Sequence, residues 1–166
     1  IRHPLQALAD LITIRERNIK NPKVVLTWAP HPRALPQAVA NSFVECMIEA
    51  GVDLTITNPE GFDLSKDFTK NTKVVHNQEE AFKDADIIYV KNWSSFDNYG
   101  ATNDEFDTWT VNQAKLKNTN NAKVMHCLPV RRNVVIADDV LDSESSIVLQ
   151  QANNRVYSAQ AVMAKI

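Results

Sequence analysis

The chain has 166 residues, with 18 basic and 20 acidic side chains and a formal net charge of −2 at pH 7. This length suits one domain with a sizeable core and is short for two domains. The near-neutral charge, without a basic block, argues against a nucleic-acid partner. Cys46 and Cys127 match neither a disulfide scaffold nor a CxxC metal site, and no apolar run is long enough to cross a membrane. We therefore expect a cytoplasmic protein with no membrane partner and no metal site.

The chain opens on a motif, His3-Pro4-Leu5-Gln6, that begins a predicted helix ending near Arg17. Proline suits the first helical turn, and apolar residues recur at helical spacing at Leu5, Leu8, Leu11 and Ile12. The free N–H groups of a helix start attract anions, and His3 and Gln6 lie beside them. The alternative is that the His-Pro pair only marks a turn.

The first predicted strand, Lys23–Ala29, is β-branched and apolar, as expected when both faces of a sheet are covered. It leads into a proline-rich loop that carries His31. The next helix is predicted at Gln37–Ala50, with Cys46 on its apolar face as a core residue. We expect His31 to lie at the ligand-binding edge of a sheet.

Further strands are predicted at Val52–Thr57, Lys73–His76 and Asp86–Val90. Lys91 directly follows the last of these, which would place it at the same edge as His31. The alternative is that Lys91 simply marks the end of the strand. His76 lies in a polar stretch and is predicted to face solvent.

Ser94–Thr110 is irregular, and a loop of this length is typical of a lid or a partner contact. A helix is predicted at Val111–Lys117 and a fifth strand at Ala122–Met125. The latter runs into the motif His126-Cys127-Leu128-Pro129, followed by Arg131 and Arg132, where proline ends the strand. The alternative is that Cys127 is an ordinary buried cysteine and the arginines are solvated.

The remaining elements are a helical turn at Asp138–Leu141, a short strand at Ser146–Leu149 and a helix at Asn153–Ile166, with Arg155 in its first turn. This last helix ends uncapped, and no initiator methionine precedes the first one, so we expect one domain of a longer protein. The alternation of strands and helices predicts an α/β fold: a doubly wound, mainly parallel sheet of about five strands with helices on both faces. Only three glycines are present, which argues against a dinucleotide or Walker phosphate loop.

The candidate site residues share a position at a strand end or a helix start: His3, Gln6, His31, Lys91, Cys127, Arg131 and Arg155. They are cationic or hydrogen-bond donors, and none is a carboxylate. We therefore expect an anionic ligand that carries phosphate or several carboxylates. This pattern fits a small-anion transferase and also a noncatalytic small-anion-binding module.

Together, the motifs at His3–Gln6 and His126–Pro129, with Arg131 and then Asn154-Arg155, resemble the ornithine transcarbamylase family. The resemblance runs through essentially the whole chain. It implies that residues 1–166 form the second, amino-acid-binding domain of a two-domain homotrimeric enzyme, inactive when isolated from the N-terminal domain. It also implies catalytic roles for His3 and Cys127 and carbamoyl phosphate contacts from His3, Pro4, Leu5, Gln6, Cys127, Leu128 and Arg155.

One departure from the ornithine enzymes concerns the acceptor substrate. Those enzymes have an aspartate followed by Ser-Met-Gly where this chain has Lys91-Asn92-Trp93-Ser94-Ser95. A lysine repels a free α-ammonium group and attracts a carboxylate. The chain therefore resembles the N-acylornithine carbamoyltransferases, as do residues 27–32 and 120–121, and among them it most resembles the N-succinylornithine enzymes. The resemblance implies acylornithine contacts from His31, Lys91 and Arg131, and N-acetylornithine remains the alternative acceptor.

The implied reaction belongs to arginine biosynthesis and needs no cofactor. The δ-amine of N-succinylornithine attacks the carbonyl carbon of carbamoyl phosphate, which gives N-succinylcitrulline and phosphate. We expect catalysis chiefly from alignment of the two substrates and stabilisation of oxyanion charge. His3 would donate to the carbonyl oxygen, and Cys127 would orient the amine or accept its proton.

Overall fold

A five-stranded parallel sheet forms the centre of the computed structural model, which describes residues 1–100 and 108–166. The strands are β1 (Lys23–Trp28), β2 (Asp53–Thr57), β3 (Lys73–Val75), β4 (Ile87–Lys91) and β5 (Lys123–Met125). Their order across the sheet is β3-β2-β1-β4-β5, and every neighbouring pair is parallel. The predicted doubly wound α/β fold is confirmed.

Helices cover both faces of the sheet. They are α1 (Pro4–Arg15), α2 (Ala38–Glu49), α3 (Lys66–Thr69), α4 (Gln78–Phe82), α5 (Gln113–Leu116), α6 (Asp138–Leu141) and α7 (Val148–Met163). One buried apolar cluster joins the sheet to α1 and α2, and includes Phe43 and Met47. A second cluster joins the other face to α4, α5 and α6, and includes Phe82 and Val140. No helix among the described residues is long and apolar enough to cross a membrane.

The strand order reverses at β1, because β2 and β3 extend the sheet on one side of it and β4 and β5 extend it on the other. The loops that follow β1 and β4 therefore leave the sheet in diverging directions. In open α/β sheets, the crevice between such loops, at the carboxyl ends of the strands, is where ligands bind.

The last helix corrects two predictions. α7 begins at Val148 rather than near Asn153, so the strand predicted at Ser146–Leu149 is absent, and only Ser146 forms an isolated bridge with Val124. Arg155 consequently lies in the middle of α7 and not in its first turn. The buried face of α7 is largely polar, with Gln151, Asn154 and Ser158 at helical spacing, so apolar periodicity could not reveal where the helix starts.

Two other predicted segments differ in extent. The helix predicted at Val111–Lys117 is limited to α5, because Val111 instead forms a bridge with Ile136. Of the irregular stretch predicted at Ser94–Thr110, residues 101–107 lie outside the described residues.

Candidate functional site

The carboxyl ends of β1 and β4 are joined where the predicted site lies. Trp28 pairs in register with Lys91, and the Ala29 N–H donates to the Lys91 carbonyl at 3.1 Å. The buried side chain of Asn92 donates to the Ala29 carbonyl at 2.7 Å. These bonds hold the loop that carries His31 beside the end of β4 that carries Lys91.

Hydrogen bonds also fix the two loops to each other beyond the strands. The Trp28 indole donates to the Trp93 carbonyl at 2.8 Å, and the Ser94 N–H donates to the Leu35 carbonyl at 2.9 Å. Gln37 donates its side-chain amide to the Ser94 carbonyl at 2.9 Å. The proline-rich loop is thus a rigid wall of the candidate site.

His31 and Arg131 meet at this edge, although 100 residues separate them in the sequence. The Arg131 Nε–H donates to His31 Nε2 at 3.2 Å. On the other side of the ring, His31 Nδ1 lies 3.0 Å from the Arg33 carbonyl oxygen and 3.1 Å from the Arg33 backbone N–H. Burial lowers the pKa of His31, and the positive charges of Arg131 and Lys91 lower it further. His31 is therefore a neutral acceptor beside two cations.

The two arginines of the motif have different surroundings. Arg132 pairs with Asp138 at 2.6 Å and also with Asp142. Arg131 and Lys91, by contrast, form no ion pair within the described part of the chain. Their uncompensated charges make this edge attractive to carboxylates and phosphates.

His126 and Cys127 follow β5 at the same edge and are both buried. The Leu128 N–H donates to His126 Nδ1 at 3.0 Å, and Leu128 adopts a left-handed conformation with φ of 49°. Burial, assisted by the charge of Lys91 and by His31, lowers the pKa of His126 to about 3. His126 is thus neutral and shapes the turn that presents Cys127, a role that the sequence reasoning did not assign.

The opening motif is fixed against α2. The His3 backbone N–H donates to Ser42 Oγ at 2.6 Å, and Arg2 forms an ion pair with Glu45 at 2.8 Å. The His3 imidazole is exposed, and its side chain makes no capping bond to α1. The first N–H groups of α1, where the sequence predicts an anion to bind, thus receive no side-chain cap.

Gln6 is buried and points into the protein, where its Nε2 donates to Asp10 Oδ1 at 2.7 Å. Arg155 lies on α7, which packs against α1, and its charge acts on Asp10. Asp10 was not among the predicted site residues. Its signal in the sequence is a carboxylate four residues after Gln6, on the buried face of a helix.

The predicted residues fall into two groups. His31, Lys91 and Arg131 lie together at the carboxyl edge with Cys127, whereas Gln6 and Arg155 lie at the packing of α1 against α7. Tyr89 on β4 connects the groups, since its hydroxyl is influenced by both Asp10 and Cys127.

The candidate site is an open edge rather than an enclosed cavity. A cavity of about 580 Å³ near the carboxyl ends of β2 and β3 is lined by residues such as Asn58, His76 and Phe96, and by none of the predicted site residues. The His76 side chain is exposed, as predicted, and its Nδ1 lies 2.9 Å from the Asn58 carbonyl oxygen.

Comparisons with known proteins agree with this geometry. Residues 36–166 match the family model described as aspartate/ornithine carbamoyltransferase, Asp/Orn binding domain. The chain is 52% identical over 168 residues to the N-succinylornithine carbamoyltransferase of Bacteroides thetaiotaomicron, an alignment that covers 99% of the chain and 53% of that protein. It is 33% identical over 188 residues to the N-acetylornithine carbamoyltransferase of Xylella fastidiosa, with 100% and 56% covered.

The structural comparison gives the same family. The crystal structure of acetylornithine transcarbamylase complexed with acetylcitrulline matches with a TM-score of 0.93 and 31% identity, over 99% of this chain and 56% of that one. The chain spans about half the length of the relatives it matches. From its sequence, its fold and the extent of these matches, we conclude that the chain belongs to the aspartate/ornithine carbamoyltransferase family, within which it corresponds to the Asp/Orn-binding domain.

Proposed function

We propose that the full-length protein transfers the carbamoyl group of carbamoyl phosphate to the δ-amine of N-succinyl-L-ornithine, giving N-succinyl-L-citrulline and phosphate in arginine biosynthesis. The observation that carries this proposal is the pair of cations at the carboxyl edge, Lys91 and Arg131, which both lower the pKa of His31. Residues 1–166 would be the acylornithine-binding domain.

The charge of Lys91 selects against free ornithine. An α-ammonium group about 4 Å from the lysine would be repelled by about 1 kcal/mol in water and about 4 kcal/mol near a protein surface. Acylation removes the charge of the α-amine and leaves the α-carboxylate, which Lys91 attracts. Free ornithine is thus the disfavoured acceptor.

The presence of two cations favours the succinyl group over the acetyl group. N-succinylornithine carries two carboxylates, one on the α-carbon and one on the acyl group, whereas N-acetylornithine carries only the first. Lys91 and Arg131 could each take one carboxylate of the succinylated substrate. N-acetylornithine would leave one of these cations without an anionic partner.

Carbamoyl phosphate would lie against the start of α1. His3, Pro4, Leu5 and Gln6 would receive its anionic groups there, with Arg155 contributing from α7 and Cys127 and Leu128 from the end of β5. Gln6 Nε2 is already bonded to Asp10, so Gln6 Oε1 is left as an acceptor for the carbamoyl amino group. His3 is the donor for the carbonyl oxygen.

The reaction requires attack by a neutral δ-amine. A C–N bond forms at the carbamoyl carbon, the C–O bond to phosphate breaks, and phosphate leaves with the electron pair. The chain would contribute alignment of the two substrates and stabilisation of the oxyanion, which together can supply much of the rate enhancement. Cys127 would orient the amine or accept its proton as the bond forms.

The open form of the site implies that other protein surfaces complete it. We infer that the other half of the full-length chain supplies the remaining phosphate contacts and that neighbouring subunits of a homotrimer close the site. On this basis the isolated 166-residue domain would bind substrates weakly and would not turn them over.

The test is turnover by the full-length protein with N-succinyl-, N-acetyl- and unmodified L-ornithine, measured as release of the citrulline product. We expect the order succinyl, acetyl, ornithine in kcat/KM. A preference for unmodified ornithine would overturn the argument from Lys91. Binding of carbamoyl phosphate in calorimetry without turnover of any acceptor would support the noncatalytic anion-binding module instead.

A further inference from the structure

A line of buried polar groups runs beneath the candidate site from α1 to the end of β5. Asp10 on α1 and Tyr89 on β4 are fully buried, and Cys127 is nearly so. Asp10 Oδ1 accepts hydrogen bonds from the side-chain amides of Gln6 and Gln151, each at 2.7 Å. Asp10, Tyr89 and Cys127 are called the buried triad below.

Three buried atoms around Asp10 lack a hydrogen bond among the described residues: Asp10 Oδ2, the Tyr89 hydroxyl and Gln151 Oε1. Such atoms are costly, and several at one place are unusual unless the place has a function. Asp10 and Cys127 nonetheless both act on the Tyr89 hydroxyl, through hydrogen-bonding and charge effects. Burial raises its pKa well above the usual range, and Asp10 and Cys127 raise it further.

We propose that Asp10 and Tyr89 are positioning residues for Cys127: the Asp10 carboxyl group, anchored by Gln6 and Gln151, orients the Tyr89 hydroxyl, which in turn orients the Cys127 sulfur. This inference rests on the proposed function, in which Gln6 and Cys127 contact the substrates. The motifs His3–Gln6 and His126–Pro129 would then belong to one buried network.

The Tyr89 hydroxyl has a single proton, so it can donate a hydrogen bond either to Cys127 or to Asp10, but not to both. When Asp10 is protonated, its Oδ2–H donates to Tyr89, and Tyr89 donates to the sulfur of Cys127. When Asp10 is ionised, Tyr89 donates to Oδ2, and its oxygen is left to accept from the thiol. The ionisation of Asp10 thus decides whether the Cys127 thiolate receives a hydrogen bond.

Both directions are accessible near neutral pH. Burial raises the pKa of Asp10 to about 7, against the lowering effects of Gln151, Gln6, Tyr89 and Arg155. The titratable and charged groups that act on Asp10 or are acted on by it are Tyr89 on β4, Arg155 on α7 and, on α2, Cys46, whose own pKa Asp10 raises. Cys127 acts on Tyr89.

Tyr89→Phe in the full-length protein tests the link, because it deletes only the hydroxyl on which both Asp10 and Cys127 act. Thr57→Val is the matched control, since Thr57 Oγ1 is also buried and unbonded but lies on β2, which β1 separates from β4. We expect Tyr89→Phe to lower kcat by about three- to tenfold, and to lower the rate of Cys127 alkylation by iodoacetamide at pH 6.5 by the same factor. This factor corresponds to the loss of one hydrogen bond. The KM for carbamoyl phosphate should stay unchanged, because Gln6 keeps its bond to Asp10.

Asp10→Asn tests the direction of the network. The two glutamine amides hold the asparagine oxygen in place of Oδ1, so the asparagine amino group takes the place of Oδ2 and always donates to Tyr89. The alkylation rate of Asp10→Asn relative to wild type should be near one at about pH 6 and should rise to about three- to tenfold at about pH 8.5. Normal circular dichroism of each variant establishes that the fold is retained.

The outcomes separate this inference from the proposed function. Alkylation of Cys127 is read by mass spectrometry and needs no turnover, so the expected Tyr89→Phe effect would support the triad even in a protein that carbamoylates no ornithine. If Tyr89→Phe behaves like Thr57→Val in both measurements, or if the Asp10→Asn ratio is flat with pH, the positioning role is refuted.

Discussion

Replacing His126 with asparagine should make the protein more resistant to acid. The imidazole is buried, and its pKa in the folded protein is lowered to about 3, whereas in the unfolded chain it is about 6.5. Below pH 6.5 the unfolded state therefore binds a proton on His126 that the folded state does not bind. Stability is lost as the pH falls from 6.5 toward 3, in line with the sign expected for a depressed pKa.

The magnitude follows from the size of the shift. Each unit of pKa is worth about 1.4 kcal/mol, so the wild-type protein should lose roughly 3 kcal/mol between pH 7 and pH 4.5 from this residue alone. Asparagine keeps an oxygen that can accept the Leu128 N–H in place of His126 Nδ1, so His126→Asn retains the turn and does not titrate. The unfolding free energy of His126→Asn relative to wild type should therefore rise by roughly 3 kcal/mol between pH 7 and pH 4.5.

The assay is urea unfolding of the 166-residue chain at half-unit steps of pH, for wild type and His126→Asn. Only the difference between the two proteins is interpreted, because other groups also titrate in this range. His76→Asn, which removes a partly exposed imidazole, controls for the loss of a histidine. If the unfolding free energy of His126→Asn relative to wild type stays constant from pH 7 to pH 4.5, the claim that burial keeps His126 neutral is refuted.

Three further predictions follow from burial and charge. Asp10→Asn should gain stability over wild type as the pH rises from about 4 to 7, by roughly 3 kcal/mol in urea unfolding, because the unfolded carboxyl group ionises above about pH 4 whereas the buried one, with its pKa raised to about 7, stays protonated. Phe43→Ala should cost about 3 to 5 kcal/mol of unfolding free energy in the same assay, because this fully buried ring packs edge-on against Tyr89 at 4.5 Å. In the full-length protein, Lys91→Gln should lower kcat/KM for N-succinylornithine by roughly 10- to 100-fold, whereas Arg132→Gln, which removes an arginine already paired with carboxylates, should change it by less than about twofold.

The sheet could be predicted from the sequence because its strands are buried on both faces. Residues of β1 and β4 form apolar, β-branched runs, and these runs end within a residue of the observed strands. Parallel order then places the residues after each strand at one edge, which is how His31 and Lys91 could be assigned to a common site.

Contacts between distant segments could not be predicted in the same way. The bond from Arg131 to His31 depends on how the loops after β5 and β1 fold back on the sheet. Asp10 looked like any carboxylate of an amphipathic helix, because its partner Gln151 lies 141 residues away on a helix whose buried face is polar. Hydrophobic periodicity carries no information on such polar packing.

The charges at the site divide it into a part that selects substrates and a part that orients them. Burial lowers the pKa of both His31 and His126, and the charge of Lys91 lowers both further, with Arg131 also acting on His31. Both imidazoles therefore resist protonation, and acidification adds less positive charge to the carboxyl edge than two exposed histidines would. Burial raises the pKa of Asp10 to about 7. A pH dependence of turnover near neutrality, beyond that of the substrate amine, should accordingly disappear in Asp10→Asn and persist in a variant that removes either imidazole.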